Sequence, residues 1–335
     1  LNSYFFSNNP DSLFKAFALS RFILLAFALN YYFRFFSNEI IRFWAIIFII
    51  VSIDILIEFS LGKNILGFSS QYPGRIASFT GEELKIGGYY FGFFFICLSF
   101  FSKKYKKFFF PMMIIFLIIS LNIGERSNFI KIFIMCFLYI LFFSELSIKK
   151  KTLILILITI LISIFFFINQ TNIKRYFYQV GVITDDKKMQ IDQKSFLTKR
   201  ILESNHHFSH YKVAIELTKN NYLFGIGFKD FRIDSYALSL NYGGSTHPHQ
   251  THFEILAELG IIGYLLIIGN IIFVLVRCFR KQNKEFLVKG SILFVIATFL
   301  PLFPSGSFFT SYGATIFWIN YSFLIKSNLE IANKK

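Results

Sequence analysis

Three histidines lie in the stretch from His247 to Gly263, where a polar loop turns directly into a long apolar segment. Pro248 has no backbone N–H and disfavours helix at His247, so we predict that a helix begins at Pro248 or His249. The free N–H groups and positive dipole of such a first turn would form a binding site for an anion such as phosphate. A histidine with a near-neutral pKa is suited to take a proton from a hydroxyl group. His249 is the candidate general base.

Two arginines lie in separate polar stretches. Arg75 falls within Tyr72–Glu83, and Arg126 falls within Gly124–Asn128. A guanidinium group is a planar fork that can hold phosphate oxygens with two hydrogen bonds. Two arginines and a base therefore suit transfer from a diphosphate leaving group. The alternatives are that Arg75 is a lone loop charge and that Arg126 pairs with Glu125 or with lipid headgroups.

The other titratable groups of the histidine stretch are expected to have supporting roles. His247 and His252 are interpreted as supporting or solvated residues. Glu254 and Glu258 are four residues apart, so they share a helix face and can act as ion-pair partners.

The His-x-His-x-x-His spacing raises the question of a zinc site, because three histidines with one open position suit metal-assisted hydrolysis. Pro248 bends the chain between the first two histidines, and the sequence contains no HExxH pattern. We therefore predict no metal and no cofactor. His206, His207 and His210 belong to a different segment and are interpreted as surface residues.

The composition predicts a polytopic membrane protein. The 335 residues are 55% hydrophobic and include 49 phenylalanines, which is too apolar for an average soluble protein. The net charge is +16, but the basic residues cluster in short runs between apolar segments. Membrane topology explains these runs more simply than nucleic-acid binding does.

Apolar runs long enough to cross a bilayer indicate an all-α fold with about nine membrane spans. The predicted spans cover residues 13–36, 40–61, 87–102, 108–123, 128–144, 152–169, 254–277, 288–303 and 308–325. Asp54 and Glu58 interrupt the second span and are expected to snorkel or to pair near its end. Lysine-rich loops follow the odd-numbered spans and are predicted to be cytoplasmic, so the arginine and histidine stretches face the exterior.

The predicted organisation has three parts: membrane helices 1–6 in residues 1–169, a long exterior loop in 170–253, and helices 7–9 with a cytoplasmic tail in 254–335. Within the loop, apolar residues at helical spacing predict an amphipathic helix from Lys194 to Asn220, which caps the membrane surface. Gly225-Ile226-Gly227 is interpreted as a turn. Further spans are expected to precede Leu1, because the chain lacks both an initiator methionine and a signal-peptide pattern.

The order and spacing of these motifs resemble the superfamily of O-antigen ligases and O-antigen polymerases, which are bacterial envelope enzymes. The resemblance covers nearly the whole chain. It is carried by Gly81-Glu82-Glu83, Gly124-Glu125-Arg126-Ser127, Gly225-Ile226-Gly227 with Phe231, His247-Pro248-His249 leading to Glu258, Gly260 and Gly263, and the segment from Pro301 to Phe308.

The resemblance implies a GT-C-like, metal-independent inverting glycosyltransferase in the bacterial inner membrane, with its active site facing the periplasm. The implied donor is an undecaprenyl-diphosphate-linked glycan, and the implied acceptor is a glycan or the lipid A core. Arg75 and Arg126 match the diphosphate-binding arginines, and His249 matches the base. Gln250 stands where the family often has asparagine and keeps an amide there. Other polysaccharide assembly proteins are possible partners. The alternative function is a transporter or flippase that moves a lipid-linked glycan without chemistry.

Overall fold

The structure is a computed structural model that describes residues 2–5, 7, 9–72, 74–83, 85–169, 206–237, 245–280 and 285–332. Within this part of the chain every regular element is helical, and no strand occurs. The α-helices are α1 (Asn2–Phe5), α2 (Ser12–Phe17), α3 (Ser20–Leu61), α4 (Ile86–Lys104), α5 (Phe109–Asn122), α6 (Arg126–Leu138), α7 (Ile148–Ile168), α8 (His206–Asn220), α9 (Phe231–Ala237), α10 (Thr251–Arg280), α11 (Phe286–Thr298) and α12 (Ser311–Ala332). Short 3₁₀ turns cover Ser78–Glu83 and Lys106–Phe108, and a π turn covers Tyr139–Phe143.

The helices confirm an all-α, multi-pass membrane protein but not the count of nine spans. Five helical segments in the described residues are long and apolar enough to cross a membrane: Ser12–Leu61, Ile86–Lys104, Arg126–Phe143, Ile148–Ile168 and Thr251–Arg280. Two predicted spans correspond to shorter helices, since α5 has 14 residues and α11 has 13. At 1.5 Å per residue, both are about 20 Å long, which is less than the bilayer core of about 30 Å.

A kink in α3 coincides with the predicted boundary between the first two spans. Phe36 has non-helical angles (φ −126°, ψ 30°) inside this 42-residue helix. A continuous helix of that length would extend about 63 Å, roughly twice the bilayer core. The apolar run alone does not reveal the kink, because phenylalanines continue on both sides of it.

The described chain divides into two compact units. One, the arginine unit, consists of residues 31–188 and 284–297; the other, the histidine unit, consists of residues 1–30, 189–283 and 298–335. In the arginine unit, Phe48 of α3 packs on Tyr90 of α4, with ring centroids 4.3 Å apart, and on Phe116 of α5 at 5.1 Å. Gly290 of α11 lies directly against Phe95, where an added Cβ would be 2.6 Å from the Phe95 Cβ. Aromatic packing and the close approach at Gly290 therefore contribute to holding this helix cluster together.

In the histidine unit, α10 is broken at Gly260, where the sequence predicted a continuous span over 254–277. Gly260 has φ 65° and ψ −172°, a backbone conformation that favours glycine. An added Cβ at this position would lie 2.4 Å from the Leu223 carbonyl oxygen. The chain from Ile261 to Arg280 then continues as a 20-residue helix of about 30 Å, which matches the bilayer core.

The turn around Gly225 fills the break in α10. Ile226 N–H donates to the Ala257 carbonyl at 3.0 Å, and Gly227 N–H donates to the Glu258 carbonyl at 3.1 Å. In return, Ile261 N–H donates to the Tyr222 carbonyl at 2.9 Å. Backbone groups that lose helical partners in an apolar environment need replacements. The glycine turn predicted from sequence is therefore confirmed, and it pairs with the interrupted helix.

Helix α8 confirms the predicted end of the amphipathic helix at Asn220, while residues 194–205 of that prediction lie outside the described chain. Its buried face is formed by Val213, Ala214 and Leu217, which pack against Ile226, Phe231 and Ala257. Ile215 was assigned to this face from the sequence, but it is 40% exposed. The core beneath α8 anchors it to the first turns of α10.

Candidate active site

Two buried carboxylates organise the loop that carries Arg75. Asp54 accepts the Ile65 N–H at 2.9 Å and the Ser78 hydroxyl at 2.6 Å. Glu58 accepts the backbone N–H groups of Ala77 at 2.9 Å and Ser78 at 2.6 Å. The side chains were expected to snorkel or pair near the end of a span, and they bind backbone donors of the following loop instead. The carboxylates of Asp54 and Glu58 on α3 thereby hold the loop in place.

The turn at Gly124 packs tightly against the same loop. Ile76 N–H donates to the Ile123 carbonyl at 3.1 Å. Gly124 has φ 74°, and an added Cβ would lie 1.9 Å from the Gly74 carbonyl oxygen. Only glycine fits this combination of conformation and close approach. The Arg75 loop and the start of α6 are therefore in direct backbone contact.

Arg75 forms an ion pair with Glu125, at 3.1 Å between Nη2 and Oε1. Asn128 Nδ2 donates to Glu125 Oε2 at 2.6 Å. The carboxylate lies over Gly87 of α4, where an added Cβ would be 2.2 Å from Oε2. Burial raises the pKa of Glu125 above its usual value, and the Arg75 guanidinium opposes that shift. The interpretation of Arg75 as a lone loop charge is therefore wrong.

Arg126 is the first residue of α6 and directly follows Glu125 in the chain. Its side chain is partly buried, and the neighbouring Glu125 pairs with Arg75. Lys131 is 3% exposed within α6, and its Nζ lies 5.6 Å from the centroid of the Phe91 ring. Both predicted arginines thus occur within two contacting loops of one unit.

In the histidine unit, the helix begins at Thr251 rather than at Pro248 or His249. The backbone of His249 has φ 56°, which is incompatible with the first turn of a right-handed helix. Gln250 caps the helix, because its Oε1 accepts the Phe253 N–H at 2.9 Å and its carbonyl accepts the Glu254 N–H at 3.0 Å. The predicted anion-binding helix end is thus partly occupied by the side chain of Gln250.

His249 lies in the loop just before this helix, in a left-handed conformation that is uncommon for a residue with a side chain. Its carbonyl accepts the Ser305 N–H at 2.8 Å, and Ser305 Oγ lies 3.1 Å from Thr251 Oγ1. Strained backbone persists where its surroundings fix it, and it clusters at functional sites. The backbone of the candidate base is therefore held by the loop before α12.

The ring of His249 contacts two other imidazoles. Its centroid lies 4.0 Å from that of His247 and 5.3 Å from that of His210 on α8. Thr246 Oγ1 lies 2.9 Å from His247 Nδ1. The interpretation of His210 as a surface residue is wrong. Helical spacing could have found this residue, since it precedes the buried Ala214 and Leu217 by four and seven positions.

His252 uses both ring nitrogens within the fold. Nδ1 lies 3.0 Å from the Tyr264 hydroxyl, and Nε2 lies 2.9 Å from the Phe299 carbonyl oxygen. A neutral ring with the proton on Nε2 satisfies both contacts, because the carbonyl can only accept and the hydroxyl can donate. His252 therefore bridges α10 to the segment that follows α11.

Glu254 and Glu258 are 1% and 3% exposed, and they bind backbone groups. Glu254 accepts the Ser307 hydroxyl and the Phe308 N–H, the latter at 2.7 Å. Glu258 accepts the Lys229 N–H at 2.8 Å. Both carboxylates hold loops around the start of α10, a role that the predicted helix-face spacing did not specify.

The predicted site residues therefore form two groups. Arg75 and Arg126 belong to the arginine unit, whereas His247, His249, Gln250, His252, Glu254 and Glu258 belong to the histidine unit. Among the described residues, no three His, Cys, Asp or Glu side chains are grouped so as to hold a metal ion. The first group offers guanidinium donors for an anion, and the second offers imidazoles for proton transfer.

A family model described as O-antigen ligase matches residues 108–268. The matched segment contains Arg126, the glycine turn and the whole stretch from His247 to Gly263. No match was found among curated proteins or among solved structures. The family match agrees with the order of motifs in the sequence and with the all-helical membrane fold. Over residues 108–268 the chain is therefore similar to the O-antigen ligase family, which supports the resemblance to the ligase and polymerase superfamily.

Proposed function

We propose that this protein is a metal-independent inverting glycosyltransferase that assembles a surface polysaccharide. It moves a glycan from undecaprenyl diphosphate to a sugar hydroxyl, acting either as an O-antigen polymerase or as a ligase. The family match supports glycan transfer in general. The observation that carries the specific proposal is the fixed, left-handed His249 with two imidazoles against its ring.

In this mechanism His249 takes the proton of the acceptor hydroxyl. The acceptor oxygen attacks the anomeric carbon of the donor sugar on the face opposite the diphosphate, so the configuration inverts. The bond from that carbon to the diphosphate oxygen breaks, and undecaprenyl diphosphate leaves with the electron pair. The leaving group is already a stable anion and needs no acid. A general base of this kind contributes about 10² to 10⁴ in rate.

Arg75 and Arg126 are proposed to bind the donor diphosphate. Support comes from Glu125, which fixes one terminal nitrogen of Arg75 at 3.1 Å and leaves other donors of the guanidinium available. Among the described residues, Arg75 Nε is buried and has no hydrogen-bond partner. A diphosphate oxygen would satisfy this donor and would add a charge-assisted hydrogen bond of about 1.5 to 3 kcal/mol.

The remaining predicted residues are proposed to support His249. His247 packs on its ring, and Gln250 ends the loop by capping α10. Glu254 holds the segment after Ser305, which binds the His249 carbonyl. These contacts keep the base in one position, which lowers the reorganisation needed during reaction.

The proposed location is the bacterial inner membrane, with the reaction on the periplasmic side. Its basis is the excess of lysine in the loops assigned to the cytoplasm, such as Lys103–Lys107 and Lys149–Lys151. The lipid-linked donor would enter from the outer leaflet. The exterior loop predicted for residues 170–253 would form a cap, and its residues 170–205 and 238–244 lie outside the described chain. The acceptor would be the end of a glycan for a polymerase or the lipid A core for a ligase. Other polysaccharide assembly proteins are proposed as partners.

The proposal is tested by His249→Ala in a strain that lacks its own copy of the gene. Surface polysaccharide is separated on a gel, and the amount of protein in the membrane is measured beside it. We expect His249→Ala to abolish glycan assembly at unchanged protein level. Arg232→Ala, a change at an exposed residue of the same unit, serves as the control and should match wild type.

The products in the deletion strain assign the reaction. A ladder that collapses to core plus one repeat identifies a polymerase. Loss of glycan from the lipid A core, while polymer accumulates on the lipid carrier, identifies a ligase. A transporter of lipid-linked glycan would tolerate the loss of His249, so a wild-type pattern from His249→Ala would overturn the proposed function.

A further inference from the structure

His210 lies on α8, which is firmly anchored next to the start of α10. One residue further along, Tyr211 packs on Phe253 with ring centroids 5.1 Å apart. Ala214 and Leu217 follow on the same face and belong to the core cluster that includes Ala257. The position of the His210 backbone is therefore set by apolar packing that does not depend on its imidazole.

The His210 imidazole lies against that of His249. The two ring centroids are 5.3 Å apart and the planes are inclined by 33°. His247 contacts His249 as well, at 4.0 Å with an inclination of 45°. His249 thus contacts both other rings. Two neighbouring rings restrict the side-chain rotamers open to a third, so the direction of its nitrogens is also restricted.

We propose that His210 is a positioning residue that holds the His249 ring from α8 and opposes its protonation. The second effect follows from charge, because a positive imidazolium close to another imidazole disfavours a second proton. His249 would then stay neutral, and able to accept a proton, at lower pH than an isolated imidazole. This inference rests on the proposed role of His249 as the base.

Other titratable groups occur on the elements packed around the three rings. On α10, Glu254 and Glu258 are bound to the backbone at Phe308 and Lys229. Helix α8 also carries Lys212, which is exposed, and Glu216, which pairs with Lys219. Lys229 and Asp230 lie in the loop just before α9, and Asp234 lies on α9 itself. Substitutions confined to His210 leave all these groups in place, so a change in pH dependence reports on its imidazole.

The test compares His210→Ala, which removes the ring, with His210→Phe, which keeps a ring but cannot carry charge. Lys212→Ala, a change at an exposed residue of the same helix, is the matched control. The assay uses purified full-length protein with the lipid-linked glycan extracted from cells that lack the gene, and the acceptor fraction of the same cells. Initial rates are measured across donor concentration and from pH 5 to 9.

We expect His210→Ala to lower kcat by about tenfold or more, with the KM for the donor within about twofold, because positioning acts on the chemical step. His210→Phe should restore kcat to within about threefold of wild type. It should also move the acid limb of the kcat profile to higher pH by about half a unit or more, since one opposing charge at this separation is lost. Lys212→Ala should change neither quantity.

Wild-type kcat and pH profile in His210→Ala would overturn the inference, as would a His210→Phe protein as slow as His210→Ala. If His210→Ala does not fold, the kcat–pH profile of His210→Phe tests the inference instead. An acid limb at the same pH as in wild type would overturn it. His249→Ala in the same assay separates the two proposals. Activity of His249→Ala contradicts the base assignment itself, whereas its inactivity beside a fully active His210→Ala contradicts only the role of His210.

Discussion

The loop that carries Arg75 and the loop that carries His249 are held by different kinds of contact. Arg75 is oriented by a charge, the Glu125 carboxylate at 3.1 Å. The contacts that hold His249 include a hydrogen bond from Ser305 N–H and two neighbouring imidazoles. A fixed opposite charge suits a residue that must stay ionised, because it stabilises the ionised form.

The two loops also have a common feature, a buried carboxylate on a helix that binds backbone donors. Glu58 on α3 holds Ala77 and Ser78, next to Arg75. Glu254 on α10 holds Ser307 and Phe308, close in sequence to Ser305. A carboxylate that accepts several hydrogen bonds can fix an irregular loop without an ion pair. The difference between the loops therefore lies in the functional side chain and not in the scaffold.

The largest effect on donor binding is expected from changing the kind of cation at Arg75. Lysine in Arg75→Lys keeps the charge but cannot hold Glu125 with one nitrogen and offer other nitrogens to a diphosphate. Loss of one charge-assisted hydrogen bond of about 1.5 to 3 kcal/mol predicts a rise in the donor KM of about 10- to 100-fold, with kcat less affected. Initial rates with extracted lipid-linked glycan measure both constants.

Arg232→Lys, at an exposed site, is the control for this change and should leave the donor KM unaltered. The melting temperature in detergent shows whether Arg75→Lys is still folded. A folded Arg75→Lys protein with a wild-type donor KM would contradict the assignment of the diphosphate to the arginine loop. The Arg75 loop and the His249 loop would then not have the separate functions proposed for them.

Intermediate effects are expected from the two carboxylates, which test whether the loops act on separate steps. Glutamine keeps the shape of each side chain but places an amide NH₂ group against a backbone N–H donor. The lost hydrogen bond lowers the stability of the loop contact by about 1 to 3 kcal/mol. We expect Glu58→Gln to raise the donor KM about three- to tenfold, because the Arg75 loop loosens. Glu254→Gln should instead lower kcat by a similar factor. Steady-state kinetics across donor concentration distinguish the two.

Glu83→Gln changes a carboxylate of the first loop that is 67% exposed, so it should alter neither constant. If Glu58→Gln and Glu254→Gln changed the same kinetic constant, the division of roles between the loops would be wrong. If both proteins only lost stability, the carboxylates would be scaffold alone.

Local patterns in the sequence were sufficient for the class of fold and for part of the site. Long apolar runs and the stop at Asn220 required no distant partner, and both predictions are confirmed. His210 could also have been found, since it continues the buried stripe of α8 at helical spacing. By contrast, Arg75 and Glu125 are 50 positions apart, and no local rule pairs them. Contacts of this kind depend on how helices pack.

The break at Gly260 shows a second limit of sequence reasoning. A glycine within an apolar run is tolerated in a helix, so periodicity favoured a continuous span. The break is stabilised by the turn at Gly225, some 35 positions earlier, which supplies partners for the exposed backbone groups. The same argument applies to the helix start, which the left-handed His249 delays to Thr251. Hydrogen bonds between distant segments decided both positions.

The smallest effect on activity is expected at His252, which tests whether the histidine loop has one base or several. The ring nitrogens of His252 already contact Tyr264 and the Phe299 carbonyl at 3.0 and 2.9 Å. His252→Phe keeps a ring that can pack against Tyr264 and Phe299 but removes both hydrogen bonds, at a cost of about 1 to 3 kcal/mol. We expect a melting temperature lower by several degrees, with kcat within about threefold of wild type.

The matched change is His249→Phe, three positions earlier. It should lower kcat strongly and leave the melting temperature nearly unchanged, which is the reverse of His252→Phe. His249 is already packed between ring neighbours, so a phenyl ring fits the same surroundings and the melting temperature should change little. Its kcat should fall to background, because no group remains to take the proton. A His252→Phe protein that melts like wild type but has lost activity would transfer the base role to His252. The same pair of measurements therefore assigns the base and separates it from the histidine that only bridges α10 to its neighbours.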